Sequence, residues 1–301
     1  MLDEKHRDPR SQGSNTDQYV FGRVGNHNVV MARLPSGQMG NNSAADVAGR
    51  LTTAFPSIKF ALMVGIGGGV PTASADIRLG DVVVGHPHSQ HGGVVQYDFG
   101  KTGPNGQVHR TGFINAPPKV LLNAIAKLRE NHYRRVNDVP AHLSAFNRLA
   151  QFSQNTAGPD VLFQAAYKHS GGDDCESCNK KMIIKRPRRV SKEVVIHYGT
   201  IASGNQVMKD GVTRDRISAE LGGVLCFEME GAGLAGAFPS AMIRGICDYA
   251  DSHKNKSWQP YAAATAAAFA KELLRVVPAE EIAKTNISGR ISGRCACRIV
   301  T

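Results

Sequence analysis

Residues 224–251 read VLCFEMEGAGLAGAFPSAMIRGICDYAD and contain two short apolar runs, each followed directly by acidic residues. The first run leads into Glu228-Met229-Glu230 and a stretch of small residues that ends at Pro239, and the second leads into Asp248. A short apolar run bounded by turn residues is typical of a buried strand. These residues therefore predict a strand–helix–strand unit with a carboxylate at the end of each strand.

The same alternation continues on both sides of this unit. Apolar runs predict strands over residues 59–64, 82–84, 92–97 and 194–203, and a hairpin over residues 19–32 around the turn Gly25-Asn26. Helical spacing predicts helices over residues 42–55, 119–132, 213–221 and 260–277. Strands and helices that alternate in this way indicate a layered α/β domain.

Changes in composition set the expected domain limits. Residues 1–18 are polar and predict a disordered lead-in, and residues 283–301 predict an unstructured tail. A single domain is expected over residues 19–282. Residues 136–192 are polar and carry a charge run, so we interpret them as an insertion within that domain rather than as a second one.

The net charge of +11 over 301 residues favours anionic partners. Aromatic residues make up only 6% of the chain, and no basic amphipathic helix is evident, which argues against nucleic-acid and membrane-surface partners. No secretory signal or apolar run of about 20 residues is present. The six cysteines fit a reducing compartment better than a disulfide scaffold, so we expect an intracellular, cytoplasmic protein.

Polar residues end three of the predicted strands: Ser203-Gly204-Asn205, Glu228-Met229-Glu230 and Asp248. In an open α/β sheet the carboxyl ends of neighbouring strands converge on one crevice. Two carboxylates in such a crevice suit cleavage of an N-glycosidic bond, because an Asp with a raised pKa can protonate the departing base. A Glu can accept hydrogen bonds from the sugar hydroxyls and support the developing charge. Helix caps and surface ion pairs are the alternative roles.

Four segments, in this order along the chain, resemble those of the nucleoside phosphorylase and methylthioadenosine/S-adenosylhomocysteine nucleosidase superfamily. They are residues 64–69, 201–205, 227–230 and 244–251. The resemblance covers roughly residues 20–277 and is closest to a fungal branch in which this domain often precedes a signalling NTPase or repeats. It implies a three-layer α/β/α fold with a central mixed sheet and a homo-oligomer. It also implies a purine nucleoside or nucleotide as substrate, with water or phosphate as co-substrate and no cofactor.

The resemblance also implies roles for individual residues. Asp248 matches the proton donor to the purine, Glu230 the glutamate that binds the ribose hydroxyls, and Met229 the residue under the sugar. Glu228 matches a second ribose or network residue. The remaining residues expected to contact substrate are Ser203, Asn205, Val207, Met208, Gly67, Gly68 and Arg244.

The chain departs from the family pattern at two places. Met63 and Ile66 stand where phosphorylases carry an Arg and a Ser that hold phosphate. Backbone N–H groups of residues 67–69 would then have to cradle an anion, and a plain βα turn is an equal alternative. We therefore favour a nucleosidase that uses water, or a phosphorylase with relocated ligands.

The second departure concerns the start of the chain. Family members begin with an apolar strand, central in the sheet, and nucleosidases take a water-activating glutamate from it, whereas this sequence begins after that strand. We expect a gap in the sheet and unpaired strand edges. A catalytically inactive nucleoside-sensing or regulatory module, truncated at its N-terminus, is therefore the alternative to an enzyme.

Two further groups of residues leave alternatives open. A phosphorylated substrate such as ATP would suit the basic residues Lys101, Arg110, Lys209, Arg214 and Arg244, although ordinary surface charge is the interpretation we favour. Cys175-x-x-Cys178 with His169 nearby has the composition of half a zinc site. A loop with two free thiols is favoured there, and no metal site is predicted.

Overall fold

The computed structural model describes residues 1–7, 19–104, 108–172, 174–191, 193–284 and 296–300. The strands are β1 Glu4–His6, β2 Val20–Val24, β3 His27–Ala32, β4 Ile58–Gly69, β5 Val82–Gly85, β6 Val94–Gln96, β7 Gly100–Thr102, β8 Val108–Arg110, β9 Ile196–Gly199, β10 Ile201–Ser203, β11 Cys226–Glu228, β12 Ser240–Asp248 and β13 Ala296–Val300. The helices are α1 Asn41–Ala54, α2 Lys119–Tyr133, α3 Val139–Leu143, α4 Gly211–Glu220, α5 Gly231–Ala237, α6 Gln259–Val276 and α7 Ala279–Lys284.

Eleven of the described strands form one mixed sheet, and β7 and β8 form a separate hairpin. The 12-residue strand β4 is central: β12 runs parallel along one side of it, while β13 and then β11 occupy the other side. β11 is antiparallel to β4, and β10 and β6 follow in parallel beyond it. Beyond β12 lie β5 and β9. The predicted mixed α/β sheet is therefore confirmed.

Helices cover both faces of the sheet because its central strands are apolar on both sides. Leu62 and Val64 of β4 pack in one cluster with Leu121 of α2 and Phe269 of α6. The alternate residue Met63 packs in a second cluster with residues of α1 and α5. Successive side chains of a strand point to opposite faces, so this alternation produces the expected three-layer arrangement.

The ends of the chain differ from expectation. Residues 4–6 of the supposed lead-in form β1, which pairs antiparallel with β2. Residues 296–300 of the supposed tail form β13, which pairs parallel with both β3 and β4. The predicted gap in the sheet is therefore wrong at this position: the edges of β3 and β4 are paired, and a segment ending in β-branched residues suits a strand. The first two residues of the expected tail end helix α7, and residues 8–18, 285–295 and 301 lie outside the described residues.

The predicted insertion contains the short helix α3, several single 3₁₀ turns and an isolated bridge between Phe163 and Ile183. It is anchored to the sheet by Arg186, whose guanidinium donates to Asp160 at 2.8 Å and to the Tyr249 hydroxyl at 2.7 Å. The insertion thus lies over the end of β12. Within the part of the chain that the structure describes, no helix has both the length and the apolar character required to cross a bilayer.

Candidate active site

The glycine-rich segment lies inside a strand, not in a loop. Gly67 pairs with Ile246 of β12, and Gly68 lies between Phe227 of β11 and Asp248 of β12. The predicted strand end at residue 64 and the loop after it are therefore wrong, because two neighbouring strands extend the hydrogen-bond ladder through the glycines. Residues 67–69 therefore do not form the cradle of free backbone N–H groups that was considered for an anion.

The absence of side chains on these glycines makes room for the site instead. A Cβ built on Gly65 would lie against the Arg244 guanidinium, and one on Gly68 would lie 2.6 Å from Asp248 Oδ1. Real Cβ atoms do not approach other atoms that closely. Glycine is therefore required at positions 65 and 68, because the side chains of Arg244 and Asp248 occupy the space beside β4 that a Cβ atom there would fill.

The end of β11 is held by a buried acidic group. The Glu228 side chain is fully buried, and its Oε2 accepts hydrogen bonds from Glu230 N at 3.0 Å and Gly231 N at 2.8 Å. The Arg244 guanidinium of β12 pairs directly with the same carboxylate. Backbone N–H groups at the start of α5 and one arginine thus fix Glu228, which has no exposed surface for a substrate. Of the two roles expected for Glu228, a ribose contact or a place in a hydrogen-bond network, its burial favours the second.

Glu230 sits beside this buried pair and is partly open, with 17% of its side chain exposed. Its Oε1 accepts from Gly40 N at 3.2 Å, and its Oε2 lies 3.6 Å from Arg244. Burial raises the pKa of the Glu230 carboxyl above its ordinary value; Arg244 opposes this shift and the Glu228 charge adds to it. Glu230 is therefore the carboxylate at this end that retains acceptor capacity.

Asp248 ends β12, after a register shift between Ile246 and Asp248. Its Oδ1 accepts from Ala250 N at 2.8 Å and from Lys254 Nζ at 2.5 Å, while its Oδ2 accepts from Cys247 Sγ at 3.2 Å. Its side chain is 11% exposed. An ammonium and a thiol, both proton donors, thus contact the carboxylate expected to act as an acid.

The two acidic ends do not lie on neighbouring strands as expected. β4 separates β11 from β12, and β11 runs in the opposite direction to β12. Two inter-strand spacings place the backbones about 10 Å apart. Such a separation leaves Glu230 and Asp248 on opposite sides of the glycine-rich end of β4, where they can contact different parts of one small molecule.

Ser203 and Asn205 meet at the Glu230 end, where they hold helices in place. Ser203 Oγ donates to Asn41 Oδ1 at 3.0 Å and accepts from Ala232 N at 3.0 Å. Asn205 Oδ1 accepts from Asn41 N at 3.0 Å, next to the Gly40 N–H that binds Glu230. Asn41 was not predicted as a site residue, because nothing near it in the sequence shows that α1 begins beside β10.

Val207 and Met208 were expected beside the base. Val207 is 47% exposed, and Met208 is half-buried against the cluster that contains Phe227. Tyr97 joins them: its ring meets Phe227 edge-on at 5.4 Å between centroids, and its hydroxyl donates to the backbone oxygen of Gln206 at 3.1 Å. Burial, with a contribution from the nearby Asp98 charge, raises the pKa of Tyr97 to about 12. Tyr97 is an aromatic residue of this cluster that the sequence did not single out.

A cavity of about 480 Å³ opens beside Asp248. One wall comes from the segment after β12 and the other from the insertion. Its lining includes Cys247, Asp248, Tyr249, Asp251, His253, Phe163, Asp174, Cys175, Glu176 and Lys180. Glu230 does not belong to this lining. The insertion therefore forms one wall of the cavity at the Asp248 end of the site.

Comparisons with known proteins agree with this architecture. A nucleotide-binding leucine-rich repeat (NLR)-like protein of Hyaloscypha variabilis is 43% identical over 283 residues, which cover 92% of this chain and 28% of that protein. A 5′-methylthioadenosine/S-adenosylhomocysteine nucleosidase of Mycobacterium tuberculosis is 35% identical over 88 residues, 28% of this chain and 34% of that protein. The chain thus spans about a third or less of the length of these curated relatives.

The structure of 5′-methylthioadenosine/S-adenosylhomocysteine nucleosidase from Neisseria meningitidis, solved with methylthio-immucillin-A, has the same fold. Its TM-score is 0.55 at 17% identity, with 91% of each chain covered. The family model of the phosphorylase superfamily matches residues 3–277. Because this match extends over most of the chain and the mixed sheet agrees with it, the chain belongs to the phosphorylase superfamily.

Proposed function

We propose that the chain cleaves the N-glycosidic bond of a purine nucleoside, with Asp248 protonating the base and Glu230 binding the ribose hydroxyls. One observation carries the proposal. Two carboxylates from β11 and β12 flank the glycine-rich end of β4 and differ in their surroundings. Membership of the superfamily supports it, as do the relatives that are named nucleosidases.

The position of Asp248 suits a general acid, because it ends β12 at the wall of the cavity. Departure of a purine anion is unfavourable, so a proton delivered to the base as the bond breaks lowers the barrier. Asp248, in its protonated form, would donate this proton, and the attacking water would release one in turn. Lys254, in contact at 2.5 Å, would stabilise the carboxylate that remains between the two steps. Bound substrate would displace water from the cavity and strengthen these interactions.

The contacts of Glu230 suit sugar binding. One of its oxygens accepts a backbone N–H and the other faces Arg244 at 3.6 Å, so each keeps acceptor capacity for a hydroxyl. Hydrogen bonds from the 2′ and 3′ hydroxyls would orient the ring and place negative charge near the developing sugar cation. Glu228 and Arg244 would hold Glu230 in position from behind.

Water is the acceptor that the site favours over phosphate. Met63 is buried in the core, and Ile66 packs beside Cys247 and Trp258, so neither position can bind an anion. Arg244 is engaged by Glu228, and the buried Arg214 donates to Tyr249 O and to Asp215. The same engagement favours a nucleoside over a nucleotide such as ATP.

The test is release of free adenine from adenosine, 5′-methylthioadenosine and ATP, with and without phosphate. We expect release from a nucleoside without phosphate, and a loss of about 10²- to 10⁴-fold for Asp248→Asn, the usual contribution of a general acid. Asp46→Asn, in the exposed ion pair of α1 with Arg50, is the matched control and should keep full activity. No base release from any of the three substrates rejects the proposal.

A nucleoside-sensing module without catalysis is the second candidate. The 43% identity to an NLR-like protein, of which this chain covers only 28%, favours it. Thermal stabilisation by adenosine without adenine release would support the sensor.

We also propose that the chain assembles into a homo-oligomer, which light scattering of the purified protein would test.

A further inference from the structure

The insertion brings three metal-binding side chains together at the wall of the Asp248 cavity. The Sγ atoms of Cys175 and Cys178 and a ring nitrogen of His169 all lie within 4.8 Å of one another. Cys178 is buried, and the other two are partly buried. The two cysteines alone are a weak signal, but the fold adds an imidazole at contact distance from both.

The spacing suits a zinc ion. Zn–S bonds of about 2.3 Å and Zn–N bonds of about 2.0–2.1 Å place the ligands of a tetrahedral site roughly 3.5–4 Å apart. A limit of 4.8 Å between these atoms requires side-chain adjustments of about 1 Å or less to reach that geometry. Two thiolates and one imidazole form a donor set that selects Zn²⁺ over Mg²⁺ or Ca²⁺.

The loop around the three side chains is already ordered by its own hydrogen bonds. Cys178 N donates to Cys175 O at 3.2 Å, which closes the turn between the two cysteines. Ser170 Oγ donates to Cys178 Sγ at 3.5 Å. The two nitrogens of His169 contact Gly171 N at 3.1 Å and Asp174 O at 2.6 Å, so the ring is held from both sides. A metal would replace one of these contacts, while the other would orient the ring, as outer-shell partners do.

A second, independent observation comes from His253. Its side chain is only 5% exposed, and its ring stacks on Phe163 at 4.1 Å and meets His169 edge-on at 5.6 Å between centroids. Among the described residues, neither of its ring nitrogens has a hydrogen-bond partner; the nearest charged atom is Asp251 Oδ1 at 3.6 Å. A buried polar atom without a hydrogen-bond partner destabilises the folded protein. His253 lies outside the group of three whose ligand atoms are within 4.8 Å of one another, so its ring would have to move to bind a metal held there.

We propose that His169, Cys175 and Cys178 bind one Zn²⁺ ion and that His253 or water completes the tetrahedron. The ion would hold together the part of the insertion that carries its three ligands and so fix the wall of the cavity beside Asp248. We assign it a structural role, because all three ligands belong to the insertion and none comes from β11 or β12. The inference does not depend on the proposed function, since it is tested by metal content.

The test measures zinc in the full chain, purified with reductant, by mass spectrometry and by competition with a chromophoric indicator. We expect one zinc per chain. The variants Cys175→Ser, Cys178→Ser and His169→Ala should each lose about 100-fold or more in zinc affinity, because loss of a metal ligand weakens binding more than loss of an outer-shell partner does. Co²⁺ in place of zinc should give a thiolate charge-transfer band that weakens in the two cysteine variants and is lost in the Cys175→Ser/Cys178→Ser double variant. Removal of zinc by a chelator should lower the Tm of the wild type and leave that of Cys178→Ser unchanged.

Cys226→Ala is the matched control, because it removes a buried thiol of β11 outside the cluster, and it should retain one zinc. Zinc binding by His253→Ala with reduced affinity would identify His253 as the fourth ligand, and unchanged affinity would assign that position to water; both agree with the proposal. Absence of binding by the reduced wild type at micromolar zinc would overturn it. Equal binding by the Cys175→Ser/Cys178→Ser double variant would do the same, as would a Cys175–Cys178 disulfide that zinc does not prevent.

Discussion

The acidic ends of β11 and β12 lie on either side of β4 but are held by different means. At β11, Glu228 is sealed inside the protein by Arg244 and by backbone N–H groups. At β12, Asp248 lines a cavity and is held by the side chains of Lys254 and Cys247. The first end is therefore sealed inside the protein, whereas the second lies at the wall of a cavity.

This difference separates the two tasks that glycosidic cleavage requires. Sugar binding depends on acceptors held in one geometry, which rigid and buried neighbours provide. Proton delivery to the base depends on a carboxyl group that a bound molecule can reach, and Asp248 lies at the wall of a cavity. The insertion covers only the second end, so its conformation should affect Asp248 more than Glu230.

The largest effect on stability is expected when the β11 end is broken. Arg244→Met leaves the carboxylate of Glu228 buried without its partner, and breaking a buried pair in this way costs about 3–5 kcal/mol. Chemical denaturation measures this loss, and nucleosidase activity should fall with it. Adding Glu228→Gln to Arg244→Met should recover part of the stability, because the unpaired charge is removed.

The control for this variant is Arg216→Met, which breaks the exposed pair of α4 with Glu220. Both of its side chains are more than half exposed, so the expected change is below about 1 kcal/mol. If Arg244→Met were as stable as Arg216→Met, the β11 end would not be the rigid one.

A smaller effect is expected at the β12 end from Gly68→Ala. The new Cβ would lie 2.6 Å from Asp248 Oδ1 and 2.9 Å from the backbone nitrogen of Ala250, so Asp248 must move. Overpacking of this kind costs about 1–3 kcal/mol. Base release should fall while nucleoside binding at the Glu230 end is retained, which kcat and KM measured separately would show.

Gly49→Ala in α1 is the matched substitution, since a Cβ there meets nothing within 4 Å. It should raise stability by up to about 1 kcal/mol, because alanine favours the helix interior. A Gly68→Ala variant with wild-type activity would show that Asp248 does not need its present position.

The smallest change in stability is expected for Glu230→Gln, and it depends on pH. Burial raises the pKa of Glu230, so the folded protein holds this proton to higher pH than the unfolded chain does. The corresponding stability is fully present below the ordinary pKa of 4.5 and is lost as the pH rises through the folded pKa. Gln does not titrate, so the variant should gain stability relative to the wild type between pH 4 and neutral pH.

Activity should move in the opposite direction for the same variant. Loss of a hydrogen bond to a charged group costs about 1.5–3 kcal/mol, or roughly 10- to 100-fold in kcat/KM. Thermal unfolding across the pH range and nucleosidase kinetics at neutral pH measure the two effects. If the stabilities of the variant and the wild type changed with pH in the same way over this range, the Glu230 pKa would not be raised.

Local sequence patterns predicted individual elements well. The helix predicted over residues 119–132 is Lys119–Tyr133, and the one predicted over residues 260–277 is Gln259–Val276. The apolar run over residues 194–203 is instead two strands, β9 and β10, which pair with β5 and with β6 and β11, respectively. A run of apolar residues shows that a segment is buried but does not show which neighbours it pairs with.

The sequence by itself determined the order of the main strands and helices between residues 19 and 277, the two-sided apolar strands and the acidic residues at the ends of β11 and β12, because these depend on local periodicity and on residue type. Only the tertiary structure placed β4 between those strands, brought Gly40 and Asn41 to Glu230, inserted β13 between β3 and β4, and joined His169 to the two cysteines. Each of these contacts links residues far apart in the chain or depends on how a loop folds back on itself. Such contacts are set by how the whole sheet packs, which no local pattern records.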